Sequence, residues 1–171
     1  MVKVSEMKSS INEGTSLEVR HPNAKGTGSA LRARLIVGSM PEYRGVLIGI
    51  APQKTVDGFK SSFDFSNPHC AYLGFVEVAQ FLQVLRGETE SICDGRGIFR
   101  KYKECSQRIQ LHHVVEPAYG YLFEAFEETT ANRGDGRRVR MFLSPAESLG
   151  ICESIAGSMC LIAFGSPYAA K

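Results

Sequence analysis

Apolar and polar residues alternate along most of this chain in short runs separated by turn signals, the pattern of consecutive antiparallel strands. Residues 30–38 place Leu31, Ala33, Leu35 and Val37 on one face, with Arg32 and Arg34 on the other. Ser39-Met40-Pro41-Glu42 turns the chain into a second run, 43–51, and Asp57-Gly58 into a third, 59–65. Asn67-Pro68 leads to a fourth run, 70–74. The period then changes, and 75–86 reads as a helix closed by Gly87.

The same order begins again at Asp94-Gly95-Arg96-Gly97. Strands are expected over 98–103, 107–116, 121–129 and 137–143, with turns at Cys105–Ser106, Pro117-Ala118-Tyr119-Gly120 and 132–136. Ser144-Pro145-Ala146-Glu147 then opens a second helix as a capping box, with Pro at its first position. Tyr72-Leu73-Gly74-Phe75-Val76-Glu77 aligns with Phe142-Leu143-Ser144-Pro145-Ala146-Glu147 at an offset of about 70 residues, and self-similarity at a fixed offset marks an internal repeat. The expected class is α+β, with two repeats of four antiparallel strands plus a helix. Residues 1–24, rich in Ser, Glu and Asn, read as a mobile arm. Residues 25–165 read as one domain of two repeats, about 25–87 and 95–165, and 166–171 as a tail.

The second helix has almost no polar face, with Glu153 the one charge between Leu149 and Gly165. A helix apolar all round must be covered all round. The run is short for a bilayer, which takes ~20 apolar residues, and Glu153 interrupts it. A second subunit is therefore the expected cover, and no membrane partner is expected.

Composition narrows the class. The chain has 171 residues, 43% hydrophobic and 22% charged, as an ordinary globular domain does. Its 20 Lys and Arg nearly balance 18 Asp and Glu, but the charges are segregated. Lys25, Arg32, Arg34 and Arg44 form one basic segment; Arg96, Arg100, Lys101, Lys103 and Arg108 form a second. Arg133, Arg137, Arg138 and Arg140 form a third, while acid collects at Glu116, Glu124, Glu127 and Glu128. Such segregation can build a steering surface that net charge conceals. The five cysteines show no zinc-site spacing and read as free thiols.

Candidate chemistry is sparse. Cys93, Cys105, His112 and His113 could supply a nucleophile and base, but adjacent histidines on a strand face opposite ways. Lys25-Gly26-Thr27-Gly28-Ser29 lacks the order of a phosphate loop and precedes a strand rather than a helix. No catalytic residue, metal site or cofactor is expected. What remains is cations on strands interleaved with aromatics, the combination that pairs phosphates and stacks bases of a single strand. The candidate binding residues are Lys25, Arg32, Arg34, Arg100, Lys101, Lys103, Arg108, Arg138 and Arg140 for phosphate, with Tyr43 and Tyr102 for stacking.

The whole pattern resembles the Whirly family, which includes plant single-stranded DNA-binding proteins and the related mitochondrial RNA-binding proteins of trypanosomes. The resemblance is carried by Lys25-Gly26-Thr27-Gly28-Ser29-Ala30-Leu31, Phe63-Asp64-Phe65-Ser66, Val76-Glu77-Val78-Ala79-Gln80-Phe81-Leu82 and the long apolar C-terminal helix, over about residues 24–165. Where the plant proteins have lysine–glycine–lysine, this chain has Lys25-Gly26-Thr27, and it has no Trp. The resemblance implies sheets packed roughly perpendicular and a homo- or heterotetramer joined through the helices. It implies single-stranded RNA or DNA laid across the sheets, and an organellar compartment, the mitochondrion before the plastid. Residues and resemblance together lead to a non-catalytic protein that holds, protects or anneals single strands. The competing expectation is a structural subunit of an organellar ribonucleoprotein assembly, docking through the acidic strand 121–128.

Overall fold

The computed structural model describes residues 7–8, 10–38, 44–57, 60–102, 105–116, 118–129 and 136–165. The first sheet contains β1 (Leu17–His21), β2 (Ser29–Val37), β3 (Arg44–Asp57), β4 (Lys60–Phe63) and β5 (His69–Leu73), and α1 (Phe75–Leu85) follows it. After a 3-10 turn at Ile92–Gly95, the second sheet contains β6 (Ile98–Lys101), β7 (Cys105–Val114), β8 (Gly120–Thr129) and β9 (Arg137–Leu143). The chain closes with α2 (Pro145–Ala156) and α3 (Met159–Phe164). All pairings are antiparallel, in the order β6-β7-β8-β9 and β1-β2-β3, with β4 and β5 both on the far side of β3.

Most expected strands are present within a few residues, and two expectations change. Leu17–His21 is a strand inside the stretch read as an arm: Leu17 and Val19 pack on the core while Glu18 and Arg20 alternate with them. Five residues of alternation were too short to stand out from their polar surroundings. The second helix is two helices, because Ser158 donates its backbone N–H to Ile155 O, three residues back. That tighter turn at Gly157–Ser158, residues of weak helical preference, interrupts the ladder.

The repeat is visible in the register. Val46 pairs with Leu73 as Tyr121 pairs with Leu143, each at the strand that feeds a helix. One residue earlier stand Gly45 and Gly120, where a Cβ would lie 2.1 Å from Leu73 O and 2.5 Å from Leu143 O. The helix starts also correspond. Ser144 Oγ accepts from Glu147 N–H while Glu147 Oε2 accepts from Ser144 N–H at 2.9 Å; Glu77 Oε2 accepts from Gly74 N–H at 3.0 Å. By this register the row Arg32–Gly49–Cys70 of the first sheet is equivalent to Gln110–Glu124–Arg140 of the second, and Arg34–Leu47–Tyr72 to His112–Leu122–Phe142.

One core joins the inner faces of both sheets with all three helices. Phe81 of α1 meets Phe123 of β8 edge-on, ring centroids 6.1 Å apart, both fully buried. At one margin lies a buried polar junction. Glu127 accepts from Lys8 at 3.0 Å and from Gln107 at 2.5 Å, and His69 is buried with no hydrogen-bond partner for either ring nitrogen among the described residues. Burial, with the nearby Arg137 cation adding to it, pushes the His69 imidazole down to about 4.

Replacing Phe123 with Ala should cost roughly 3–5 kcal/mol in denaturant unfolding, as truncation of a buried ring does. An unfolded His69 titrates near 6.5 and the folded one near 4, so its contribution is complete above 6.5 and is lost as pH falls toward 4. Stability measured across that window should decline, and less steeply in His69→Gln.

Candidate nucleic-acid interface

The phase of β8 decides what the second sheet shows to solvent. Tyr121, Phe123 and Ala125 point into the core, so Leu122, Glu124, Phe126 and Glu128 point away from it. Cross-strand register then lines up Phe99, Arg108, Phe126 and Arg138, one residue from each strand, on that outer face. Phe99 is 59% exposed. The Arg138 guanidinium stands 5.7 Å from the Phe126 ring centroid. Gly136 abuts that ring so closely that a Cβ would lie 2.1 Å from Cζ. The result is a row of alternating aromatic rings and cations crossing the whole sheet.

Neighbouring rows add charge. Lys101, exposed, sits opposite Ser106 beside Phe99, and Arg140 sits opposite Glu124. Glu124, nearly buried, is flanked by two cations: it pairs with Arg140 and lies 3.6 Å from Arg138. Two arginines thus share one carboxylate, and Glu128 lies in the row of Lys101 and Ser106. Among the described residues no ion pair engages Lys101 or Arg108.

At one end of this face a cleft of about 280 Å³ opens between the Ile92–Gly95 turn and β7, lined by Ser91, Gln110 and His112 with Gly95. Cys93 and Asp94 there hold left-handed backbone, φ 51° and 53°, a conformation that costs about 1–3 kcal/mol in a residue other than glycine. Gln110 donates its amide to Gly95 O at 3.1 Å, which leaves its carbonyl for other use.

The other sequence-derived candidates are distributed differently. Lys25 is exposed on a loop whose backbone N–H groups, at Lys25 and Thr27, are held by Asn23 Oδ1. Arg32 and Arg34 do leave the first sheet on its outer face, but the chain itself covers them. Arg32 pairs with Glu18 at 2.5 Å, donates to Asn12 Oδ1 and stacks 3.7 Å over Phe65. Arg34 donates to Ser10 O and lies 3.6 Å from Glu13. Burial works to raise the Glu18 carboxyl, but hydrogen bonds from Arg20 and Arg32 outweigh it and hold the group below its ordinary value.

Arg100 points inward to the cap of α1, where it pairs with Glu77, so it joins a strand to a helix rather than facing outward. Tyr102 lies half-buried against Met7, its hydroxyl 3.9 Å from the thioether sulfur, and burial raises its pKa. Tyr102 is therefore not an open stacking platform. Tyr43 and Lys103 lie outside the described residues.

Two rings that sequence reasoning passed over, Phe99 and Phe126, lie on the outer face of the second sheet. The signal was available: each is out of phase with the core residues of its own strand, Ile98 and Ala125. For nucleophilic chemistry, His112 lines the cleft while His113 packs edge-on against Tyr119 and tilted against Tyr121, and the Cys93 thiol donates to Gln80. Among the described residues no three His, Cys, Asp or Glu side chains gather as a metal site.

No family model and no curated protein matches the chain. Solved structures do. WHY1 of Arabidopsis thaliana superposes with a TM-score of 0.64 at 11% identity, over 88% of this chain and 85% of that one. WHY3 of the same plant gives 0.69 at 12% identity, over 92% and 94%. At such identities the likeness is one of architecture, and it spans both repeats: the chain has the Whirly fold.

Proposed function

We propose that this protein binds single-stranded nucleic acid, RNA or DNA, across the outer face of its second sheet, and that it does so without catalysis. The observation that carries the reading is the row Phe99–Arg108–Phe126–Arg138, with Lys101 and Arg140 beside it. Rings can stack on successive bases while the cations between them neutralise phosphates. Lys25 is an additional phosphate contact, and Lys103 belongs to the same reading by sequence. A shared fold with the WHY structures supports a nucleic-acid role in general terms.

The competing reading, a protein-docking subunit, rested on the acidic strand. Two of its carboxylates are already engaged inside the molecule, Glu124 by Arg138 and Arg140, Glu127 by Lys8 and Gln107. The helices offer an exposed apolar surface for protein contact. Leu149 is 60% and Phe164 84% exposed, and space around Gly150 is open, while Ile151, Cys152, Ile155 and Ile162 bury the opposite side. We assign that face to assembly of a homo- or heterotetramer rather than to a membrane. An organelle, the mitochondrion first, is the proposed compartment.

Fluorescence anisotropy with matched single-stranded RNA, single-stranded DNA and duplex tests the reading. One single strand should bind well ahead of duplex. Joint replacement of Phe99 and Phe126 by Ala should weaken binding roughly 10-fold or more, since each base–ring stack contributes about 1–3 kcal/mol. Replacing Arg108 and Arg138 by Ala should flatten the log–log salt slope by roughly 1.4, two phosphates' worth on a single strand. Unchanged affinity in the Phe pair would remove the row from the interface. Separately, Leu149→Glu with Phe164→Glu should reduce the assembly to smaller species in sedimentation velocity.

A further inference from the structure

The two repeats present equivalent outer faces, yet only the second is open. On the first, residues 7–8 and 10–14 lie across the sheet. Met7 and Ile11 are 3% and 1% exposed and pack with Leu47, Cys70 and Tyr72. Ile11 settles directly over Gly49, where a Cβ would come within 2.9 Å of it; the equivalent position on the open face is Glu124. By the same register Arg32 and Arg34 correspond to Gln110 and His112, which line the open cleft. The chain's own segment therefore engages, on one half, two arginines whose counterparts on the other half line a cleft.

What fills it has the donor–acceptor chemistry of a single strand. The Ser10 carbonyl, the Asn12 amide oxygen and the Glu13 carboxylate present oxygens to Arg32 and Arg34 as phosphates would. Met7 and Ile11 supply apolar bulk over Leu47 and Tyr72, where bases would stack. Beneath lie ingredients like those of the open face: Arg32 and Arg34, with Phe65 and Tyr72 as rings. Glu18 belongs to β1 and stays with Arg32 in either state. Among the described residues, the segment's polar attachments beyond these arginines are Lys8 to Glu127 at 3.0 Å and to Asn67 at 2.9 Å, Asn12 to Phe65 O at 2.7 Å, and the Tyr102 hydroxyl to Met7 Sδ at 3.9 Å.

We propose that the outer face of the first sheet is a second single-strand site, closed by the N-terminal segment as an intramolecular stand-in for the polynucleotide. The inference rests on the function proposed above, and one experiment separates the two. A chain lacking residues 1–14 is compared with the full chain by oligonucleotide titration across salt, with stoichiometry measured per chain.

The full chain should bind through the second sheet alone. The shortened chain should take up about twice as much oligonucleotide and show a salt slope steeper by roughly one, from newly freed arginine. Arg34→Ala with Arg32→Ala should cancel that gain in the shortened chain and leave the full chain unchanged. If the shortened chain does not fold, Lys8→Glu in the full chain sets a second carboxylate against Glu127, loosens the segment and should give the same gain. Equal stoichiometry and slope in the folded opened variant overturn the second site and make the segment a structural staple. No binding by the full or the opened chain instead overturns the functional reading itself.

Discussion

Everything the second sheet can do depends on Phe123 being buried against Phe81. A strand has a side-chain period of two, so fixing one residue inward fixes the whole strand, and a one-residue slip would turn every side chain over. With Phe123 in the core, Phe126 and Glu124 must lie on the outer face, and register carries that choice across to Arg108, Arg138, Arg140 and Phe99. The core thus selects the outer face. Packing supplies the rigidity, and the outward residues, which packing leaves unconstrained, carry the chemistry.

The two halves are built on one internal repeat. Both halves share strand order, the glycine beneath the last strand, and a glutamate that closes the first helical turn. They differ on their outer faces. In the first half Gly49, with no side chain, admits Ile11 onto the sheet; in the second, Glu124 occupies that place and gathers two arginines. Gly49 against Glu124 is thus one of the differences, with Cys70 against Arg140 beside it, between a face covered by its own chain and one that carries paired arginines.

The alternation along 30–38, 107–116, 121–129 and 137–143 was enough to place the strands, because each buries one face and exposes the other. The capping box at Ser144 and Glu147 and the offset alignment of the two helix starts were equally readable, being local. Less readable was anything set by distant partners. Arg32, Arg34 and Arg100 look like free cations in sequence, yet Glu18, Ser10 and Glu77 claim them through contacts that only the fold creates. Tyr102 looks like an exposed ring until Met7 covers it. Phe99 and Phe126 were not among the candidate rings, although the phase of their strands already pointed them outward.

The most direct test is photo-crosslinking of the full chain to a single-stranded oligonucleotide carrying a halogenated pyrimidine, with adducts located by mass spectrometry. Cross-links are expected at Phe99 and Phe126, on the peptides of β6 and β8. Adducts confined to the helices α2 and α3, or absent from both phenylalanines while the oligonucleotide remains bound, would contradict the assignment of the second sheet's outer face.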